Sequence, residues 1–192
     1  NHPEIIYATE TITNPFYKTI SYDYPLNLWT RRVKDTLNQI DDNHILLLVD
    51  DIFIRNPVDV SRLNYANSQL KGNIALFNFE KSWDKNDLET AVKGFKKRRH
   101  GSKYEVSIMC GLGDKEKLIN VLSVDGTPWD VEYGQNNCGY EYYINSGDYI
   151  IDWGYKTWNP PGVFRGKWCR EVIPFFEKEG IIVDYSKRGF YD

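Results

Sequence analysis

Ile45-Leu46-Leu47-Leu48-Val49-Asp50-Asp51-Ile52-Phe53 is an unbroken aliphatic run that ends in two adjacent carboxylates. Five apolar residues in succession, preceded by Asp41-Asp42-Asn43, predict a strand over Ile45 to Asp50 covered on both faces, as at the centre of an α/β sheet. The acids then stand at its carboxyl end, where open α/β sheets bind ligands. Neighbouring carboxylates repel, and are stable together when hydrated, hydrogen-bonded or neutralised by a cation. A plain Asp-Asp turn satisfies the same letters, so the chemistry of the run depends on its surroundings.

Upstream, Glu4 to Thr9 reads as a short strand. Leu28 to Ile40 carries apolar residues at helical spacing (Leu28, Trp29, Val33, Leu37, Ile40), with Asn27 as the expected N-cap. Downstream, a second helix is predicted over Asp59 to Leu70 and a strand over Asn73 to Phe79, followed by a polar, charge-rich excursion from Lys81 to Gly101. Tyr104 to Cys110 alternates like a strand, and Asp114 to Leu122 opens with an acidic cap and continues as an amphipathic helix. Thr127-Pro128-Trp129-Asp130-Val131-Glu132 has a capping Thr, Pro at the first helical position and acids in the first turn. A hairpin is expected between Tyr140–Ile144 and Tyr149–Trp153 around Asn145-Ser146-Gly147-Asp148. Pro160-Pro161-Gly162 breaks the chain, and Lys167 to Lys178 reads as a helix kinked at Pro174 and ended by Gly180. The alternation predicts one α/β domain with a mixed sheet flanked by helices and a small hairpin and helix near the C-terminus.

The 192 residues suffice for one domain with a substantial core, and a 41% hydrophobic, 27% charged composition argues against extensive disorder. Aromatics reach 15%, supplying flat surfaces on which sugar or base rings can stack as well as core volume. A net charge of −3 excludes a uniformly basic nucleic-acid binder, so no nucleic-acid partner is expected. The local exception is Lys93, Lys96, Lys97, Arg98, Arg99, His100 and Lys103, a cluster suited to phosphate or to a solvated loop. Cys110, Cys138 and Cys169 lack zinc spacing and suit a reducing compartment. His2, His44 and His100 likewise show no paired ligand spacing. No apolar run approaches the roughly 20 residues of a membrane helix, and the expectation is a cytoplasmic protein.

Trp29-Thr30-Arg31-Arg32 opening a helix, LLLVDDIF, YEVSIMC before a short helix, PWDVE and the late Arg165-Gly166-Lys167-Trp168 occur in that order. The series resembles a family of bacterial and phage proteins assigned as glycosyltransferases of the GT-A fold, which share a W-x-x-R helix start, an LLLL-[DE]-D-x-F strand end and a later P-W-x-x-E. The likeness covers most of Leu28 to Asp184 and implies a GT-A-like, Rossmann-like domain over residues 1–192. It also implies transfer of a sugar from a nucleotide-sugar donor to a glycan or other hydroxyl acceptor, with Mn²⁺ or Mg²⁺ as cofactor.

On that resemblance Asp50 and Asp51 match the acidic metal motif, although the usual Asp-x-Asp is here an adjacent pair. Asp51 is favoured as the ligand because it lies nearer the open end of the strand. Glu132, then Asp130, are the candidates for a general base on the acceptor hydroxyl. A helix start with favourable N-terminal acids accounts for the same pentad. Trp29 and Arg32 share a helical face and are expected near the nucleotide, as is Lys167 at an anion-favouring helix start. The chain begins at what resembles the second strand of the pattern, so an upstream nucleotide-gripping strand is expected to be missing from it.

Two other functions fit the letters. A non-catalytic carbohydrate-binding or assembly module would use Tyr140, Tyr142, Tyr143, Trp153, Tyr155 and Trp158 as a stacking platform. A metal-dependent phosphoesterase would use Asp50, Asp51 and the Lys96–His100 segment.

Overall fold

The computed structural model describes residues 3–134, 138–153 and 162–191. Two short parallel strands, β1 (Ile6–Thr9) and β2 (Lys18–Ser21), lead into helix α1 (Trp29–Leu37), strand β3 (His44–Leu48) and helix α2 (Val60–Gln69). Strand β4 (Ile74–Lys81) is followed by the short strands β5 (Leu88–Glu89) and β6 (Phe95–Lys97), then β7 (Cys110–Asp114). Helices α3 (Lys115–Val121) and α4 (Pro128–Tyr133) precede strand β8 (Glu141–Asn145). The chain ends with β9 (Val163–Phe164), β10 (Lys167–Trp168) and helix α5 (Ile173–Lys178). The main sheet is mixed and six-stranded, in the order β3-β7-β4-β8-β6-β5, giving a Rossmann-like α/β architecture with a small C-terminal hairpin.

The aliphatic run forms β3, but at an edge rather than the centre of the sheet. Its sheet partner among the described residues is β7, antiparallel from His44↔Asp114 to Leu48↔Cys110. The run is continuous because both faces are packed. Leu46 joins a core under α2 that contains Ala66, Leu70, Phe77, Phe79 and Tyr143, whereas Ile45 and Leu47 join the opposite core with Val33, Leu37, Leu118 and Val131. Two-sided packing gives an apolar run without central position. In β4, register shifts between Ile74 and Leu76, so Ala75 and Leu76 both face the second core before Phe77 returns to the first.

Several boundaries move for local reasons. Asn27 does not cap α1. A 3₁₀ turn at Leu26–Leu28 leads into it, and the Thr30 N–H is satisfied instead by the Gly126 carbonyl at 3.0 Å. Asp59 and Asp114 cap α2 and α3 through the Arg62 and Lys117 N–H groups, each at 3.0 Å. The expected strand Tyr104–Cys110 is a loop except for its last residue, with Tyr104 at φ 59 and its N–H donating to the Glu132 carbonyl. Val106 and Ile108 alternate with other residues there because they fill the second core from a loop.

The strand itself is Cys110-Gly111-Leu112-Gly113-Asp114, whose glycines are required by crowding. A Cβ at Gly111 would lie 2.8 Å from the Phe77 carbonyl oxygen, and one at Gly113 would lie 2.5 Å from Leu118 Cδ1.

Strand β8 pairs parallel with β4 and antiparallel with β6, not with residues 149–153. The latter instead bury Ile150, Ile151 and Trp153 in the first core. The C-terminal hairpin is β9–β10, closed by Arg165-Gly166 with φ of 51° and 77°, the left-handed pair suited to a two-residue turn. Lys167 therefore lies in a strand, and α5 starts later, with Pro174 tolerated in its first turn rather than kinking it. Among the described residues no helix is long and apolar enough to cross a membrane.

Candidate functional site

Strands β3 and β4 are each antiparallel to β7 and hence parallel to one another, so their carboxyl ends emerge along the same side of the sheet. The 104–109 loop is pinned between them: Val49 N–H donates to the Met109 carbonyl at 3.2 Å, and Asn78 Nδ2 donates to the Ser107 carbonyl at 3.0 Å. This edge collects two sets of carboxylates.

The first set is the Asp50–Asp51 turn. Asp50 is exposed and Asp51 half-buried. Burial, and then the charge of Asp50, pushes the Asp51 carboxyl above its ordinary range, while its own backbone N–H and then the charge of Arg188 pull the other way. Asp51 Oδ1 is buried and has no hydrogen-bond partner among the described residues.

A desolvated, unpartnered carboxylate oxygen beside a second acid suits a divalent cation. Mg²⁺ in particular takes one or two protein carboxylates and fills its remaining positions with water and substrate phosphate. No group of three or more His, Cys, Asp or Glu side chains comes together among the described residues, so the donor set fits such a shared cation rather than an all-protein cage.

The C-terminal hairpin is stitched to this turn. Gly162 N–H donates to the Asp51 carbonyl at 2.8 Å, and Cys169 N–H donates to Gly162 at 2.9 Å. Gly162 must lack a side chain, because its Cβ would stand 2.0 Å from the Phe53 ring.

The second set is Glu132 with Glu80. The Ser107 hydroxyl lies 2.8 Å from Glu80 Oε2 and 3.3 Å from Glu132 Oε1, so its single hydrogen is directed more closely to Glu80. Burial, and next the Glu80 charge, raises the proton affinity of Glu132. The Ile108 N–H and the Ser107 hydroxyl oppose that rise. Beside them Tyr104 and Tyr133 join hydroxyl to hydroxyl at 2.7 Å, and Lys103 Nζ lies 4.6 Å from the Tyr133 ring centre. The bond to Tyr133, followed by burial and nearby negative charge including Glu132 and Glu80, pushes the Tyr104 phenol up to about 12. Trp83 meets Tyr104 edge-on at 6.1 Å.

Asp130 is committed to the helix start. Its Oδ2 accepts the Thr127 N–H and hydroxyl, both at 2.7 Å, which holds its carboxyl below the ordinary range. Glu132, two residues on, makes no part of that cap and turns to Ser107. Trp129, immediately before Asp130, is 54% exposed and available to solvent.

Arg32 is a buried strut. It donates to the carbonyls of Tyr22 at 3.1 Å and Tyr24 at 2.6 Å and pairs with Glu10 at 2.9 Å, fastening the β1–β2 segment to α1. Trp29 packs against the second core. The two residues thus have separate partners, Trp29 in the second core and Arg32 on the N-terminal segment. Arg32→Ala is expected to loosen that segment by about 1.5–3 kcal/mol, the scale of charged hydrogen bonds. Amide exchange over residues 6–9 and 18–21 should accelerate while the main sheet stays protected. Lys167 is exposed on the hairpin that is stitched to Asp51.

Much of the basic segment is neutralised. Lys96 pairs with Glu89, Lys97 with Glu141 and Arg98 with Asp87, and His100 Nδ1 lies 3.3 Å from Glu105 Oε1. Of the aromatic tail, Tyr142, Tyr143 and Trp153 are core residues, Tyr140 is half-buried, and Tyr155 and Trp158 lie outside the described residues, as do His2 and Pro160-Pro161.

Glu80, Ser107, Tyr104 and, packed on Tyr104, Trp83 lie at the candidate site and were not singled out by sequence reasoning. Glu80 was accessible to the rule that singles out Asp50, since Ile74-Ala75-Leu76-Phe77-Asn78-Phe79-Glu80 is also an apolar strand running into an acid. Ser107 and Tyr104 were hidden by the strand-like alternation of their loop. Searches against protein-family models, curated proteins and solved structures give no match to this chain.

Proposed function

We propose that the protein is a cytoplasmic, metal-dependent glycosyltransferase that moves a sugar from a nucleotide-sugar to a glycan or other hydroxyl acceptor. The observation that carries this reading is the placement of two distinct carboxylate sets along one sheet edge: Asp50–Asp51 in a cation-suited turn, and Glu132 beside Glu80 with raised proton affinity. A single-step transfer needs both functions, one for the departing diphosphate and one for the acceptor proton.

Asp51, with Asp50, would hold Mn²⁺ or Mg²⁺, which when bound neutralises charge on the diphosphate leaving group. Glu132 accepts the acceptor's hydroxyl proton as that oxygen bonds to the anomeric carbon and the bond to diphosphate breaks. Burial, and next the like charge of Glu80, keep Glu132 basic, and the Ser107 hydroxyl lies between the two carboxylates. Arg188, whose charge reaches Asp51, and Lys167 on the stitched hairpin supply positive charge on the donor side.

Titration calorimetry of Mn²⁺ with uridine or guanosine diphosphate tests the reading, together with turnover of the corresponding nucleotide-sugars. Asp51→Asn is expected to weaken cation-dependent nucleotide binding at least about tenfold, the loss of about 1.4 kcal/mol. Absence of both binding and turnover with the intact chain would sink the proposal. A second reading, saccharide binding without transfer, is favoured by Trp83, which is 63% exposed and packs edge-on against Tyr104. It predicts sugar binding that neither cation nor nucleotide affects.

A further inference from the structure

The residues that follow α5 fold back onto the C-terminal hairpin and carry a cation towards the Asp50–Asp51 turn. A 3₁₀ turn at Tyr185–Lys187 is capped by Asp184, whose Oδ1 accepts the Ser186 N–H at 3.1 Å, and Gly189 N–H donates back to the Tyr185 carbonyl at 2.8 Å. The chain then clips to β10. Trp168 N–H donates to the Gly189 carbonyl at 3.0 Å, and Tyr191 N–H donates to the Trp168 carbonyl at 2.9 Å. Arg188 is held between these two sets of bonds, with its exposed guanidinium 5.8 Å from the Trp168 ring centre. The same indole stacks on Phe53, just beyond Asp51, at 6.3 Å, and its neighbour Cys169 is tied through Gly162 to the Asp51 carbonyl.

Arg188 acts on the acidic turn by charge and not by contact. Its charge reaches the Asp51 carboxyl, yet the buried Asp51 Oδ1 keeps no hydrogen-bond partner among the described residues. A salt bridge would have filled that oxygen, whereas a cation standing off from it leaves the oxygen open to a ligand. We propose that Arg188 makes the Asp50–Asp51 site select a divalent cation that arrives carrying a diphosphate over the same cation alone. The inference rests on the cation site of the transferase reading and not on sugar transfer itself.

The same side chain opposes one ligand and recruits the other. A bare divalent cation is attracted by the two carboxylates and repelled by the guanidinium. Once a diphosphate is bound to it, the incoming species is net negative, and the planar fork of the guanidinium pairs with phosphate oxygens. Coordination points the same way. Among the described residues no third His, Cys, Asp or Glu side chain joins Asp50 and Asp51, so phosphate oxygens and water complete the shell.

Electron paramagnetic resonance of Mn²⁺ and titration calorimetry on the intact chain provide the test, with three probes: Mn²⁺ alone, Mn²⁺–pyrophosphate and Mn²⁺–uridine diphosphate. The parent should bind at least one diphosphate complex about tenfold more tightly than the bare cation. Arg188→Gln should tighten bare Mn²⁺ by about two- to threefold, the scale of an exposed charge, and weaken the complex about tenfold, the scale of lost charged hydrogen bonds. Arg188→Lys should still repel the bare cation but restore only part of the affinity for the complex, because an ammonium lacks the fork. Opposite shifts are the signature, since a purely structural role would weaken both; circular dichroism checks that the exposed substitutions leave the fold intact. The inference alone is overturned if binding depends on Asp51 but Arg188→Gln moves both affinities in one direction or moves neither. Absence of all binding by the parent, or binding that Asp51→Asn leaves unchanged, would remove the cation site and this inference with it.

Discussion

Glu132→Gln is expected to lower the rate of sugar transfer by about 10²–10⁴-fold, the range that a positioned general base contributes. The amide is isosteric with the carboxyl and still reaches Ser107, so the loss should appear in kcat with nucleotide binding at Asp51 unchanged. The pH profile carries the signature. A base works only when unprotonated, so parent activity should rise with pH through a limb displaced above the ordinary glutamate range by burial and by Glu80.

Stability should move the opposite way. Folding raises the proton affinity of Glu132, so across the window between its unfolded and folded values the native chain binds more protons than the unfolded one. This contribution to stability is fully present below the window and lost as pH rises through it. Glu132→Gln removes a half-buried charge facing Glu80, and thermal melts at neutral pH should show the variant at least as stable as the parent. A variant that keeps parental kcat would remove Glu132 from the base role, and one that unfolds would overturn the stability expectation.

Phe77→Ala should destabilise the fold by about 3–5 kcal/mol, as large-to-small changes at fully buried aromatics do. Phe77 has no exposed surface and lies in β4, between β7 and β8. Its ring meets Phe95 edge-on at 4.8 Å and tilts against Tyr143 at 5.2 Å, so truncation removes two aromatic contacts as well as creating a void. Urea denaturation monitored by circular dichroism measures the loss. A cost below about 1 kcal/mol would mean that the core repacks around the gap, contrary to the close packing of protein interiors.

The elements that were legible in the sequence are those with local signatures. Helices α2, α3 and α4 carry side-chain caps at Asp59, Asp114 and Thr127, and β4 is an apolar run with clear ends. The position of β3 was not legible, because apolar coverage on two faces reads alike at an edge and at a centre. Strand β7 was hidden because alternate positions, Gly111 and Gly113, are glycines whose role is to leave room for the β4 backbone and Leu118, and room has no letter of its own. Strand β2, absent from the sequence reading, depends on β1 and on the Arg32 strut. At the site, Glu132 and Asp51 could be found from acids at element ends. Their partners could not, since Ser107 meets Glu80 and Glu132 only through tertiary packing across 27 and 25 residues of chain.

The two glycines of β7 also set the mechanical tolerance of the Glu80–Glu132 pair. With the β4 backbone pressed against Gly111 and Leu118 seated in the space at Gly113, the strand has almost no play against its neighbours. Ser107 hangs just upstream of that clamped point, and its hydroxyl is the spacer between Glu80 and Glu132. Enlarging either glycine would shift that spacer along with the strand. A substitution carrying no polar atom, and touching neither carboxylate, would thus retune the proton affinity of Glu132.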